Sequence, residues 1–569
     1  MDKAFIFAEF DNFYAAYRPL TPYGRLVRAA LPFFDSAETL NREYDLTERF
    51  IAFIKKSRFQ ADRLEFHLKN MPVLPCDPAR SFADETEASE PALAAGCDGP
   101  KTKGRNLPPI LGAAEVFIFK KFISNVKAVF AELPLEIRKP LAASWCSEEL
   151  LKALSLGGTG ETFHLSDAYS SDLKAAREKL SAAGEALSAM RNEKLKTISK
   201  TYDLDFSRRE FLVVDEARAR KAYGSPDLFF EAYDSANVIA KPVFGPAYLE
   251  LTAAKEKLHS DERAAEQKVL RELSVLIRKE KNEIAGYLNA VERADVLLAK
   301  ARLALEYSMT RPKLRKFPSP PSLKKARFIP LEAKLRTLKL EYTPLTFKFS
   351  KRVNIIHGSN MGGKTVALKT LAFAQLLAQT GFFVPAEAYE TCVYEKIHVA
   401  GDEETGRAEG LSSFGLEMNA FANAYADTGR PCLILMDEFA KTTNSDEAAA
   451  MLSAISEDFC ENEKVLAFVA THFSRLAQQK NAAFLRMKGF DNTAFNAYFS
   501  GKTPVQLTEK LKMLNKFMDY EITANIGQDG IYDAIKIARI LGVNARIIER
   551  AQKFMTAGRE VKEAKEQPK

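Results

Sequence analysis

Several ordinary markers of structure and targeting are absent from this 569-residue sequence. Its six cysteines, at 76, 97, 146, 392, 432 and 460, form no CxxC pair. Such spacing excludes a zinc ribbon and a paired redox motif, and it leaves reduced cytosolic thiols as the expectation. No run of 18 or more apolar residues occurs, so no membrane span is expected. The opening Met1-Asp2-Lys3-Ala4-Phe5 lacks the basic, apolar and small-residue regions of a secretory signal. A strong charge of one sign is lacking too: 82 Lys plus Arg against 75 Asp plus Glu give a formal +7. So mild a surplus does not mark a nucleic-acid binder by itself; the distribution of the charges has to decide. What is present is 46% apolar and 28% charged residues, a globular composition that rules out wholesale disorder. The length allows about three to five domains. The expectation is a cytoplasmic, multidomain protein.

Along the chain the character changes several times. Leu46, Phe50, Phe53 and Ile54 fall at i, i+4, i+7 and i+8, one face of a helix. Residues 77–109 gather Asp84, Glu85, Glu87 and Glu90, then Gly96, Gly99, Gly104 and Pro108-Pro109. Such a stretch buries too little apolar surface to offset its ordering entropy and reads as an exposed loop. Helical pattern returns over 113–154, interrupted near Pro134 and Pro140. Two longer helical stretches follow, at 169–200 and 247–307, the second with no proline and one glycine, Gly286. As a single helix it would reach on the order of 90 Å, and its length suggests a coiled coil or a lever. Between the two, Glu210-Phe-Leu-Val-Val214 reads as a strand, giving an antiparallel helical arm with a small tip. Residues 311–327 mix Pro312, Pro318, Pro320 and Pro321 with seven basic residues and read as a linker. Beyond it, short apolar strands alternate with helices, the pattern of a parallel α/β sheet.

The chemistry lies in that second half. Val353-Asn-Ile-Ile356 leads into Gly358-Ser359-Asn360-Met361-Gly362-Gly363-Lys364-Thr365 and then a helical run through Gln379. This is the GxxxxGK[ST] pattern in its strand–loop–helix setting. Its glycines let backbone N–H groups turn toward phosphate oxygens, and the helix N-terminus adds positive potential. Lys364 can reach the β- and γ-phosphates of ATP, and Thr365 can ligate Mg²⁺. Cys432-Leu-Ile-Leu-Met436 reads as a buried strand that ends in Asp437 and Glu438. Sites of parallel sheets open at the carboxyl ends of strands. Asp437 there would hold Mg²⁺ through water, and Glu438 would polarise the attacking water. A third strand, Val465-Leu-Ala-Phe-Val-Ala470, runs into Thr471-His472, which places His472 to sense the γ-phosphate.

Together these elements resemble the ATPase domain of the MutS family, within the ABC-type ATPases. Residues 358–365 are similar to the family's GPNMGGKS, and Gly381-Phe-Phe-Val-Pro-Ala386 to its GxxVPA. Gly410-Leu-Ser-Ser-Phe-Gly-Leu-Glu-Met418 resembles the signature segment S-T-F-x-x-E-M, and Ala470-Thr-His472 the family's ATH. Met436-Asp-Glu438 with Thr443, Asn444 and Glu447 resembles the Walker B strand and its loop. Ile537-Ala-Arg-Ile-Leu-Gly542 and Ile548-Glu-Arg-Ala551 resemble the C-terminal dimerisation helices. Leu20-Thr-Pro-Tyr-Gly-Arg25 resembles, more weakly, the start of the family's helical core.

The resemblance implies a multidomain plan. A helical core is expected over 1–170, lever helices over 171–310 with a clamp at about 201–246, and the basic Pro-rich linker at 311–327. A P-loop ATPase domain over 328–500 and C-terminal dimerisation helices over 501–569 would follow. It implies ATP and Mg²⁺ as cofactors and a homodimer in which Ser412, with Ser413 beside it, reaches the γ-phosphate bound by the other subunit. It implies duplex or branched DNA as partner, through repair or recombination. Lys194, Lys196, Lys200, Arg208 and Arg209 are the candidate phosphate contacts, unless they form a solvated helical face.

The sequence also departs from the family. The core-like segment begins by about residue 18, with no expected room for the mismatch-reading and connector domains, so direct mismatch reading is not expected. Phe7-Ala8-Glu9 has the letters of the family's wedge pair, but so do Phe130-Ala-Glu132, Phe229-Phe-Glu231 and Phe459-Cys-Glu461. No nuclease-type tail is expected after Arg550. Ala440 and Thr442 stand where the repair proteins carry glycines, so left-handed backbone there would cost about 1 kcal/mol or more. A second reading follows from these departures: a protein-remodelling ATPase that reactivates a cobalamin-dependent aminomutase. A nucleotide-gated structural dimer is a third.

Overall fold

A computed structural model of the protein describes residues 3–75, 110–156, 165–359, 362–401, 413–473, 476–491, 493–495, 507–524 and 534–554. The chain divides into two compact units, one built from 1–65, 134–141 and 292–569 and the other from 66–133 and 142–291. The segment expected as one helical core, 1–170, is therefore shared between them. Its described regular elements are all helical.

The second unit is dominated by two long helices, Ser171–Tyr202 and Pro246–Lys279. Ser170 caps the first by accepting from the N–H of Asp172 and Leu173, and Pro246 opens the second at a position that needs no N–H. The two pack along each other. Arg177 fixes the pairing by reaching Asp167, Glu262 and Glu266. Between them stand β1 (Leu212–Asp215), β2 (Leu228–Ala232) and β3 (Asn237–Pro242), in the order β1-β3-β2 and antiparallel throughout. Their inner face joins Leu195 and Ile198 of the helix to Leu204, Phe206, Val214, Leu228 and Ala240. The 247–307 stretch is not one helix. It breaks at Glu280, at φ −99° and ψ 25°, and resumes as Lys281–Glu306. Each piece spans about 40–50 Å. No glycine or proline marks the break, so periodicity alone did not reveal it.

The first unit carries the remaining strands: β4 (Lys313–Leu314), β5 (Ser322–Ala326), β6 (Leu345–Lys348), β7 (Val353–His357), β8 (Ala388–Thr391), β9 (Lys396–Gly401), β10 (Cys432–Asp437), β11 (Val465–Thr471), β12 (Ala482–Phe490) and β13 (Met518–Ala524). The main sheet runs β13-β12-β7-β11-β10-β9; all neighbours are parallel except β12 and β13. Both of its faces are covered, which is why β10 and β11 read as unbroken apolar runs. Leu433 and Leu435 belong to the core cluster of helix Lys364–Gln379. Their alternates Cys432, Ile434 and Met436 join Ala448, Leu452 and Phe459 of helix Ser445–Glu461 on the opposite face.

Two boundaries differ from expectation. β13 lies within 501–569, the segment expected to hold dimerisation helices and a tail, and it extends the main sheet past residue 500. Residues 311–327 are not a free linker: β4 and β5 belong to a four-stranded sheet ordered β4-β8-β5-β6. Six of the seven cations are paired within the chain. Arg311 meets Asp45 and Glu48, Lys313 and Arg315 meet Glu390, Lys324 and Lys325 meet Glu387, and Arg327 meets Glu332. Apart from Glu332 these acids are distant in sequence, and local composition could not reveal them.

Candidate nucleotide site

β7 and the helix Lys364–Gln379 hold the glycine-rich loop between them, with Gly363 at φ 90° as the residue before the helix. A Cβ on Gly363 would lie 2.8 Å from the Tyr520 ring, and on Gly358 3.3 Å from Met487, so β12 and β13 form the floor of the loop. Gly362 N–H donates to Ser359 O at 2.9 Å. Asn360 and Met361 lie outside the described residues. The Lys364 ammonium donates to the carbonyls of Gly358 and Ser359 at 2.8 and 2.9 Å and stands 3.7 Å from Glu438. Burial lowers the Lys364 pKa, against the opposing pull of Glu438 and Asp437. Beside Lys364 and Thr365 opens a cavity of about 270 Å³, walled by Tyr342, Leu345, Met487 and Tyr520.

The far end of the same helix is tied down as firmly. Its last carbonyls have no intrahelical donor. Tyr44 Oη donates to Ala378 O at 2.6 Å, Phe34 N–H to Gln379 O at 2.8 Å, and Lys300 Nζ to Thr380 O at 3.1 Å.

Between β7 and β10 lies β11, so the loop and the two carboxylates open at the carboxyl ends of neighbouring parallel strands. Thr365 Oγ1 donates to Asp437 Oδ1 at 3.1 Å. A hydroxyl beside a buried carboxylate is an oxygen donor pair that suits Mg²⁺, an ion that usually completes its shell with water and phosphate. Among the described residues no group of three or more His, Cys, Asp or Glu could hold a metal. Glu438 stands at φ 48° and Ala440 at φ 62°. Ala440 thus adopts the left-handed backbone that is costly without a glycine, while Thr442 does not. His472 is the first residue past β11, exposed and beside the Phe473 ring at 4.4 Å. Ser412 lies outside the described residues; Ser413 opens the helix Ser413–Ala426.

The sequence did not reveal the roles of two contributors, Gly401 and the Glu417 of the signature-like segment. Gly401, opposite Asp437 in the β9–β10 register, has φ 98°, and a Cβ there would lie 2.0 Å from Asp437 O. Gly401→Ala is expected to destabilise the fold by about 3 kcal/mol, from left-handed strain plus overpacking. Thermal unfolding checks it, and a change within about 0.5 kcal/mol would mean that β9 does not press on Asp437. Glu417 is the other; its carboxylate reaches the loop after β10.

The basic candidates lie in the other unit. Lys194 pairs with Asp227, whereas Lys196, Lys200, Arg208 and Arg209 are exposed. Residues 203–245 carry eight acidic and six basic residues, so the tip is not a positive patch. Of the wedge-like letters, Glu9 is bound to Lys334 and Lys369, with Lys369 over the Phe7 ring at 5.6 Å.

Residues 354–557 match the family model of MutS domain V. The matched segment belongs to the MutS domain V family. Proteins called Endonuclease MutS2 are similar to it. That of Thermomicrobium roseum is 28% identical over 416 residues, covering 71% of this chain and 49% of the relative. That of Caldanaerobacter subterraneus is 25% identical over 398 residues, 69% of this chain and 46% of the relative. That of Lactobacillus helveticus is 27% identical over 310 residues, 54% and 36%. The chain thus spans about a third to a half of the length of these MutS relatives. The domain V match covers the glycine loop from β7 onward, Asp437, Glu438 and His472. No described helix is long and apolar enough to cross a membrane.

Proposed function

We propose that this MutS-like chain binds and hydrolyses Mg·ATP at the carboxyl ends of β7, β10 and β11. One observation carries the reading: Lys364, Thr365, Asp437 and Glu438, up to 74 positions apart in sequence, converge within hydrogen-bond or ion-pair distance at one helix N-terminus. The glycine loop and Lys364 would hold the β- and γ-phosphates, and the apolar walls at Tyr342 and Tyr520 would take the nucleoside. Thr365 and Asp437 would hold Mg²⁺, which would supply charge neutralisation on the phosphates. Glu438 orients and deprotonates the attacking water, and His472 faces the γ-phosphate.

A half-site of this kind leaves one side of the γ-phosphate uncovered, and the segment of Ser412 and Ser413 from a second copy would supply the missing donors. A homodimer through the C-terminal segment is supported by Val543, Ile547 and Phe554, which are apolar and 42%, 60% and 79% exposed. Movement of the long helices on duplex or branched DNA, in repair or recombination, completes the proposal. Its support is the family match and the four exposed cations at 196, 200, 208 and 209.

The test is Mg²⁺-dependent ATP hydrolysis by the full chain, with and without duplex and branched DNA at two salt concentrations. With about four phosphate contacts, log K should fall with log salt at a slope of about −4. Absence of DNA binding at low salt would remove the DNA part. Absence of hydrolysis would remove the enzyme.

A further inference from the structure

We propose that Glu417 is a positioning residue for Glu438: its buried carboxylate holds the left-handed turn that aims Glu438 into the site. The inference rests on the nucleotide reading above. Glu417 lies in the helix Ser413–Ala426 and is 3% exposed. Its Oε2 accepts the Ala440 N–H at 3.0 Å. Ala440 is fully buried.

The turn after β10 is intrinsically unfavourable. Two side-chain-bearing residues, Glu438 and Ala440, are left-handed within three positions. Such backbone persists only where its surroundings over-determine it. Here the surroundings act at three points. Glu438 N–H donates to Ala470 O at 2.9 Å. The Phe439 ring lies 5.5 Å from Phe421. Glu417 takes the Ala440 N–H. Phe421 and Glu417 are four residues apart on one helix, so they present one face to the turn. Of these contacts the carboxylate is the one that cannot be replaced by water, because the Ala440 N–H is buried and must otherwise lose its partner. Without it the turn relaxes toward ordinary backbone, and Glu438 leaves the position that now stands 3.7 Å from Lys364. Proton acceptance from water demands tight geometry, whereas phosphate binding by the loop does not involve this turn. Loss of Glu417 should therefore lower turnover and spare ATP binding.

The experiment uses the full chain and measures steady-state Mg·ATP hydrolysis, ATP affinity by titration, and thermal unfolding. For Glu417→Ala, kcat should fall on the order of 100-fold. Its ATP affinity should stay within about 3-fold of the parent. Glu417→Gln keeps an amide oxygen as acceptor and should recover kcat to within about 5-fold of the parent. An alanine variant with the parent's kcat would overturn the inference. So would equal loss in both variants, or loss of ATP affinity in step with kcat, which marks a structural role alone. A parent chain that hydrolyses no ATP would instead remove the nucleotide reading, and the inference with it.

Discussion

Glu438→Gln is expected to leave ATP binding intact and to lower turnover about 100-fold or more, the usual share of a general base. Glutamine matches the shape of glutamate but does not accept the proton of the attacking water. The binding elements do not depend on that proton. The Lys364 ammonium is held chiefly by the carbonyls of Gly358 and Ser359, and Glu438 stands farther away at 3.7 Å. Thr365 meets Asp437, not Glu438. Binding and single-turnover hydrolysis measured on one preparation check the prediction. Turnover at the parent rate would take Glu438 out of the reaction, and lost ATP affinity would mean that its charge serves Lys364 instead.

The largest stability effect is expected at Glu43. This carboxylate is 5% exposed and receives Arg293 and, at 3.9 Å, Lys300. Lys300 is itself buried, over the Phe382 ring at 4.9 Å and against Thr380 O. Glu43→Ala leaves a buried ammonium without its counter-charge and should cost about 3–5 kcal/mol. Adding Lys300→Met should recover part of that loss, since an apolar group replaces the orphaned charge. Denaturant unfolding of the two single variants and the double variant measures the coupling. A cost below about 1 kcal/mol for Glu43→Ala would show that the pair behaves as a solvated one.

The same lysine makes stability depend on pH. Burial lowers its pKa from the ordinary 10.5 to about 8, against the favourable Glu43 and with Arg293 adding to the depression. Between those values the unfolded chain binds more protons than the folded one. Its contribution to stability therefore rises as pH rises from about 8 toward 10.5, and Lys300→Met should remove that rise. Because Lys300 closes the last turn of the helix whose first turn holds the glycine loop, the measurement also reports on the seating of that helix.

How much of the site was legible depended on the distance over which each feature is enforced. The glycine loop was readable because a tight turn onto a helix N-terminus needs Gly362 and Gly363 themselves, whatever surrounds them. Asp437 and Glu438 were readable because a strand covered on both faces must be apolar throughout, so two acids at its end stand out. The small tip sheet was read from one strand only, since β2 and β3 are half-exposed and each carries a run of just three apolar residues, Leu228–Phe230 and Val238–Ala240. The 311–327 segment was misread because prolines and cations look the same in a linker as in short strands whose charges are met mostly by distant acids.

The sequence by itself determined the glycine loop, the carboxylate pair, the alternation of strand and helix after residue 328, and the MutS resemblance that the family match bears out. These are local demands, met within a few residues of chain. Only the tertiary structure decided that Gly401 must lack a side chain under Asp437 and that Glu417 must hold Ala440. It also decided that Glu43, Arg293 and Lys300 must share one buried place. Each of these joins residues 7 to 257 positions apart in sequence. Their chemistry appears only when folding removes water from between them, because a buried charge or N–H must then find its partner in the protein.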